Sequence, residues 1–258
     1  MLSYQHMYHA GNLADVHKHA ALSVLLTHLT QKEKPLTYIE THAGRGVYDL
    51  SGREAQKTLE AQDGIERILK LKKLPVNHPY FQLINRMRAE IGKNVYPGSP
   101  FIAEALLRSI DTIHLMELHP QEYAKLRFFM NYPNVHIHHR DGYEGVLAVS
   151  PPPVRRGFVL IDPSYEIKTE YALAAQKILK LVKKWPQAHI MVWYPLLEEN
   201  RHHELLEPLK NANLKDVFHQ QIPFAHPFKS MKGSGIFIIN TPYGTQEPLN
   251  ALEKIVRA

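Results

Sequence analysis

The chain contains no cysteine. That absence removes disulfide frameworks, thiolate zinc sites and cysteine nucleophiles together. No stretch of eighteen consecutive apolar residues occurs, and the opening MLSYQHMYHAGN lacks the basic-then-apolar layout of a signal peptide. A soluble, cytoplasmic protein with no membrane partner is the expectation.

What is present is ordinary in bulk and unusual in two details. Apolar residues make up 44% and charged residues 22%, which argues against disorder, collagen and coiled coil. A chain of 258 residues buries roughly 73% of its unfolded surface, enough for one large domain or one domain carrying a smaller insertion. The formal net charge is +6, and there are 17 histidines. At pH 7 each unperturbed histidine adds about a quarter of a charge, roughly +4 in all. A surface this basic favours a polyanionic partner.

From residue 36 onward short apolar runs alternate with longer amphipathic ones, the rhythm of a mostly parallel sheet covered by helices on both faces. Strands are expected at Leu36–Thr41, Thr112–Leu118, Val135–His139, Gly157–Asp162, His189–Tyr194, Val217–Pro223 and Gly235–Thr241. Helices are expected near 12–32, 99–109, 120–131, 142–149, 171–185 and 198–212. Residues 224–234 form a loop too short for a crossover helix, so the last two strands pair antiparallel. Seven strands closed by such a hairpin is the usual build of a Rossmann-like methyltransferase.

One interval breaks the rhythm. More than sixty residues separate Gly44 and Gly46 from the next strand, whereas a βαβ unit needs about thirty in total. The expectation is a core of 1–46 and 98–258, with an N-terminal motif at 1–20, interrupted by a small helical subdomain at 47–97. Within 65–93 seven basic residues (Arg67, Lys70, Lys72, Lys73, Arg86, Arg88, Lys93) face only Glu66 and Glu90. This is either a solvated helix face or a phosphate-contacting lobe.

Several local patterns bear on chemistry. In LTYIETHAGRGVYDL an apolar strand runs into a turn whose glycines, Gly44 and Gly46, permit close approach of a ligand or simply turn the chain. Glu117 ends the next strand, seventy-three residues beyond Gly44. Removing about fifty inserted residues brings it near the roughly twenty-residue spacing of a ribose-binding acid. VLIDPSY delivers Asp162, Pro163, Ser164 and Tyr165 to the carboxyl end of a strand, where ligands of such sheets bind. A carboxylate, the Pro163 carbonyl and an aromatic ring suit a planar base with an exocyclic amine, and the same tetrapeptide also suits a plain turn. Asp141 before Gly142 either bonds an amino group or caps the following helix. In the first helix, N-capped by Asn12 and stopped before Pro35, Leu13, Val16, Ala20 and Val24 form a buried stripe. Asp15, Lys18 and His19 share another face, the spacing of an ordinary surface ion pair. The short-spaced histidines (His6 with His9, His17 with His19, His136 with His138, His202 with His203) give no complete ligand set, so no metal is expected.

Taken together, MLSYQHMYHAGNLADVHKH, THAGRG at 41–46, YPGSP at 96–100, MELHP at 116–120, DG at 141–142, LIDPSYEIKTEY at 160–171 and WYP at 193–195 resemble the RlmJ family. These are adenine-N6 methyltransferases of 23S ribosomal RNA, and the likeness runs in order from Met1 to about Asn240. The resemblance implies an α/β, Rossmann-like class I fold with an inserted helical subdomain, S-adenosylmethionine as methyl donor, no metal and 23S RNA as partner; a monomer is the expectation for the assembly. The resemblance implies cofactor contacts at His19, His42, Ser99, Glu117, Asp141, Gly142 and Asp162, to which the turn glycine Gly44 is added as a candidate. It further implies Asp162 as proton acceptor beside Pro163 and Tyr165, and Tyr4, His6 and Lys18 near the RNA base. Two departures stand out. The family tetrapeptide usually reads DPPY, whereas Ser164 stands third here, and the chain ends soon after its last strand, where relatives often continue. Alternatives remain a DNA adenine methyltransferase, a glutamine-N5 methyltransferase, against which Asp162 speaks, and a non-catalytic RNA-binding protein that keeps the fold.

Overall fold

A computed structural model describes residues 5–228 and 231–257. Its centre is a seven-stranded sheet built from β1 (Thr37–Glu40), β4 (Thr112–Met116), β5 (Val135–His138), β6 (Gly157–Ile161), β7 (His189–Leu197), β8 (Phe218–Phe228) and β9 (Met231–Ile239). Across the sheet the order is β5-β4-β1-β6-β7-β9-β8. The first five strands in that order run parallel, and β9 pairs antiparallel with both β7 and β8. Strands β1 and β6 are buried along their whole length, as a sheet covered on both faces requires.

Helices fill the crossovers. α6 (Pro120–Phe129) links β4 to β5, α7 (Gly142–Val149) links β5 to β6, α8 (Glu170–Lys184) links β6 to β7, and α9 (His202–Asn211) links β7 to β8. α1 (Leu13–Thr30) precedes the sheet, and its N-cap is Asn12, whose side chain accepts from the Asp15 amide. Its burial differs from an amphipathic surface helix: Ala14 to Leu26 are buried on every side, so Asp15, Lys18 and His19 lie inside the protein.

Two expectations change. Residues 224–234 are not a loop among the described positions, because β8 continues to Phe228 and β9 starts at Met231. Ile222 and Phe224 are buried while Gln221, Pro223 and Ala225 are exposed, so the two-residue period runs through Pro223. Proline is tolerated there because β8 is the sheet edge, where an N–H facing solvent is not needed. The chain also continues past β9 into an amphipathic helix, α10 (Gln246–Val256), whose Leu249, Leu252, Ile255 and Val256 are buried.

Between β1 and β4 the chain leaves and returns through a two-stranded ribbon, β2 (Val47–Asp49) and β3 (Val95–Pro97), with Val47 opposite Pro97. The ribbon carries α2 (Arg53–Thr58), a wide π turn at Gln62–Glu66, α3 (Arg67–Lys70) and α4 (Pro79–Glu90). α5 (Ser99–Leu106) then leads back to β4. Ile65, Ile68, Tyr80, Leu83, Ile84 and Tyr96 belong to the same apolar cluster as α1 and the sheet, so this lobe shares the main core.

Candidate active site

The strand order reverses at β1, with β4 on one side and β6 on the other, and ligands of such sheets gather beyond the carboxyl ends at that point. A cavity of about 520 Å³ opens there. It is lined by segments that follow β1, β4, β5 and β6, by the carboxyl-terminal half of β7, and by α1 and residues 6–12 from the other side.

At one end stand the loops after β1, β4 and β5. Gly44 and Gly46 have φ of +61° and +80°, the left-handed region that glycine enters freely. The Gly44 amide donates to Glu117 Oε2 at 2.7 Å, and the His119 amide donates to Oε1 at 2.7 Å. Burial raises the Glu117 pKa even though both amides pull it down. Each carboxylate oxygen keeps a second lone pair for a ligand hydroxyl. His42 packs edge-on to Tyr143, and its Nδ1 lies 2.8 Å from Thr41 Oγ1. Asp141 caps α7 by accepting from the Glu144 amide at 2.8 Å, and it also lines the cavity. At Gly142 a Cβ would lie 1.9 Å from the Thr41 carbonyl oxygen, so only glycine lets α7 start this close to β1.

At the other end stands Asp162. Lys18 Nζ donates to its Oδ2 at 2.5 Å and to Asp15 Oδ1 at 3.0 Å. Burial alone would lower the Lys18 pKa, but the two carboxylates more than offset it and hold the ammonium above its ordinary value. Asp15 is the hub. Its Oδ2 accepts from the Gly11 amide at 2.9 Å and meets His6 Nε2 at 2.8 Å. Burial opposes ionisation of Asp15, yet His6, Lys18 and His19 keep its pKa well below the usual carboxylate value.

Pro163 and Ser164 line the cavity beside Asp162. Tyr165 has φ of +56°, a conformation that costs a non-glycine residue of order 1 kcal/mol and is held here by its surroundings. Its amide donates to Glu170 Oε2 at 2.8 Å, its hydroxyl donates to the Trp193 carbonyl at 2.8 Å, and its ring stacks on Tyr171 at 4.3 Å. Trp193 stands beside it, with the Lys18 ammonium 5.6 Å from the indole centre. The indole N–H donates to Ser234 Oγ at 2.8 Å, and that hydroxyl meets His17 Nδ1 at 2.9 Å.

His19 and Ser99 sit deeper. His19 Nδ1 lies 2.9 Å from the Tyr96 hydroxyl, and burial pushes its pKa down to about 3. Ser99 Oγ donates to Glu40, which also accepts from the Tyr38 hydroxyl at 2.9 Å, and burial pushes Glu40 up to about 8. Tyr4 lies outside the described residues. All the other expected site residues line the cavity. Asp15, Glu40 and Trp193 join the site only through the fold; in sequence Asp15 is the i, i+3 partner of Lys18 and Glu40 a lone acid ending an apolar strand. Among the described residues no group of three or more His, Asp or Glu could hold a metal ion, and no helix is long and apolar enough to cross a membrane.

The sequence matches the family model described as "Ribosomal RNA large subunit methyltransferase D, RlmJ" over residues 33–257. Two proteins named "Ribosomal RNA large subunit methyltransferase J" are similar along nearly the whole chain. That of Escherichia coli K12 is 34% identical over 254 residues, covering 97% of this chain and 91% of its own. That of Haemophilus influenzae is 38% identical over 250 residues, covering 94% and 88%. A crystal structure of a Legionella pneumophila protein superposes with a TM-score of 0.85 at 36% identity, covering 95% of this chain and 92% of that one.

Proposed function

The chain belongs to the RlmJ family of large-subunit ribosomal RNA methyltransferases, and from that premise we propose that it methylates the exocyclic N6 of an adenine in 23S RNA. S-adenosylmethionine is the methyl donor in this reading, and bound there it supplies a methyl group activated by its sulfonium. The residues suit it: Glu117 presents carboxylate lone pairs for ribose hydroxyls, and the cavity runs on from there to Asp162. Gly142 lets the start of α7 seat against the Thr41 carbonyl at that end.

Asp162 carries the reading. An extruded adenine presents an amine whose lone pair is delocalised into the ring. Asp162 and the Pro163 carbonyl accept its two N–H groups and turn the nitrogen toward the methyl carbon. Lys18 occupies Oδ2 of Asp162, which leaves the other oxygen for the amine. The Tyr165 ring offers the base its face away from Tyr171, and Trp193 closes the wall. As the N–C bond forms, the C–S bond breaks, and the proton shed by N6 passes to Asp162 or water. His6 and Lys18 flank the base through Asp15. Ser164 leaves the Pro163 carbonyl in place, so the departure from DPPY is compatible with transfer.

The basic lobe of 47–97 contacts RNA phosphates in this reading. On the same reading the enzyme works as a cytoplasmic monomer. The test is methylation of deproteinised 23S RNA from cells lacking the activity, followed by mapping of the modified base, with DNA as a parallel acceptor. N6-methyladenine at a single 23S position is expected. Transfer to DNA alone, or no binding of donor at millimolar concentration, overturns the reading in favour of a DNA enzyme or a non-catalytic RNA binder.

A further inference from the structure

The inserted lobe touches more than the core. Residues 5–12, which carry His6 to the cavity, rest on it through His6, Tyr8, His9, Gly11 and Asn12. Glu60 of the lobe is 4% exposed, and both of its carboxylate oxygens are engaged by that segment. Oε1 lies 2.7 Å from His9 Nδ1, and Oε2 accepts from Asn12 Nδ2 at 2.9 Å. Thr58 Oγ1 donates to the Tyr8 carbonyl, and Lys57 Nζ sits 5.8 Å from the centre of the Tyr8 ring. The Ile65 amide donates to the Gly11 carbonyl at 2.8 Å. Gly64 permits that approach, since a Cβ there would lie 2.0 Å from the same oxygen. Tyr48 of β2 supports the His6 ring edge-on at 5.2 Å.

These contacts do not end at the lobe. While Asn12 donates to Glu60, its Oδ1 accepts from the Asp15 amide at 2.9 Å. Asp15 in turn holds Lys18, and Lys18 holds Asp162. A bonded chain thus connects a buried carboxylate of the lobe to the group that orients the amine. A lone buried carboxylate is costly unless fully partnered, and both partners of Glu60 come from the N-terminal segment.

We propose that the lobe is the seat of the N-terminal segment and that Glu60 is a positioning residue for the base end of the site, so that RNA bound by the lobe meets a pocket the lobe itself assembles. This rests on the methyltransferase reading above. It makes the insertion part of the catalytic apparatus as well as an RNA-binding surface.

The test compares three variants of the full chain. E60A removes both contacts. E60Q keeps them, since its amide oxygen accepts from Asn12 and its NH2 group donates to His9. N12D still caps α1 but sets a carboxylate against Glu60, so it breaks the seat where E60A fails to fold. In E60A and N12D, kcat on 23S RNA is expected to fall about tenfold or more, with KM for RNA and donor affinity within about threefold. Hydrogen exchange of residues 5–12 should accelerate while that of the sheet does not. E60Q should stay within about threefold of wild type in both readouts. Wild-type kcat in E60A and N12D, unchanged exchange of 5–12, or an E60Q as impaired as E60A overturns the proposal. Wild-type protein that methylates no 23S RNA fails the functional reading instead, and the exchange measurements then decide the seat by themselves.

Discussion

At the scale of single residues, the site is a set of buried charges each held by a partner. Lys18 is legible in sequence as a helical neighbour of Asp15, but a spacing of three says nothing about burial, and an exposed pair contributes little. Burial between Asp15 and Asp162 turns the same spacing into a fixed cation beside the carboxylate. D162N should lower methyl transfer by about 10²- to 10⁴-fold and leave donor affinity largely intact; isotope transfer and calorimetry check the two halves. Near-normal turnover would remove Asp162 from its role. Glu40 makes a different prediction. Its folded pKa near 8 lies above the ordinary value of 4.5, so the folded state holds a proton that the unfolded state has released between those values. Stability contributed by the neutral carboxyl is complete below about pH 4.5 and is lost as pH rises through 8. E40Q should therefore show a flatter alkaline limb than wild type in urea midpoints taken from pH 6 to 9, with a difference on the order of a few kcal/mol. Parallel curves would sink that assignment.

Elements divide between those written in local pattern and those set by packing. β6 and α7 were legible to within a residue or so, because an all-apolar run such as Gly157–Ile161 and an Asp-Gly start such as Asp141–Gly142 are local signals. The length of β8 was not, since Pro223 argues for a turn until the strand is known to lie at an edge. The all-round burial of α1 was equally hidden. Its polar face is stabilised by residues far off in sequence, as with His17 between Ser234 and Gln220. Two predictions belong here. G142A forces a Cβ into the Thr41 carbonyl, so α7 must shift from β1. A destabilisation of about 2 kcal/mol or more should appear in denaturant melts, together with weakened donor binding. In the lobe, Lys72 and Lys73 are exposed. Reversing both to Glu should weaken RNA binding about tenfold at low salt and flatten its salt dependence while donor affinity holds. Unchanged binding across a salt series would return that surface to an ordinary solvated face.

The whole molecule carries its histidines in a way that composition alone could not disclose. His17 and His19 are almost fully buried, and burial lowers their pKa to about 4 and about 3 from an ordinary 6.5. The unfolded chain therefore binds more protons than the folded one below pH 6.5, and stability must fall as pH drops from there toward 4. Each contributes about 2 kcal/mol of that loss between pH 6.5 and 5. Urea midpoints should decline steeply over that window, and H17N should blunt the decline; a flat profile would show that these rings are charged in the fold. The sequence by itself determined the class of the protein: the alternation of apolar periods, the long interval after Gly46 and the strand-end acids are local or one-dimensional signals that survive without coordinates. Only the tertiary structure decided which of those acids meet and which segments the insertion touches. Asp15, Lys18 and Asp162, like Glu60 and Asn12, become partners across 144 and 48 residues of chain through long-range packing, which no local period encodes.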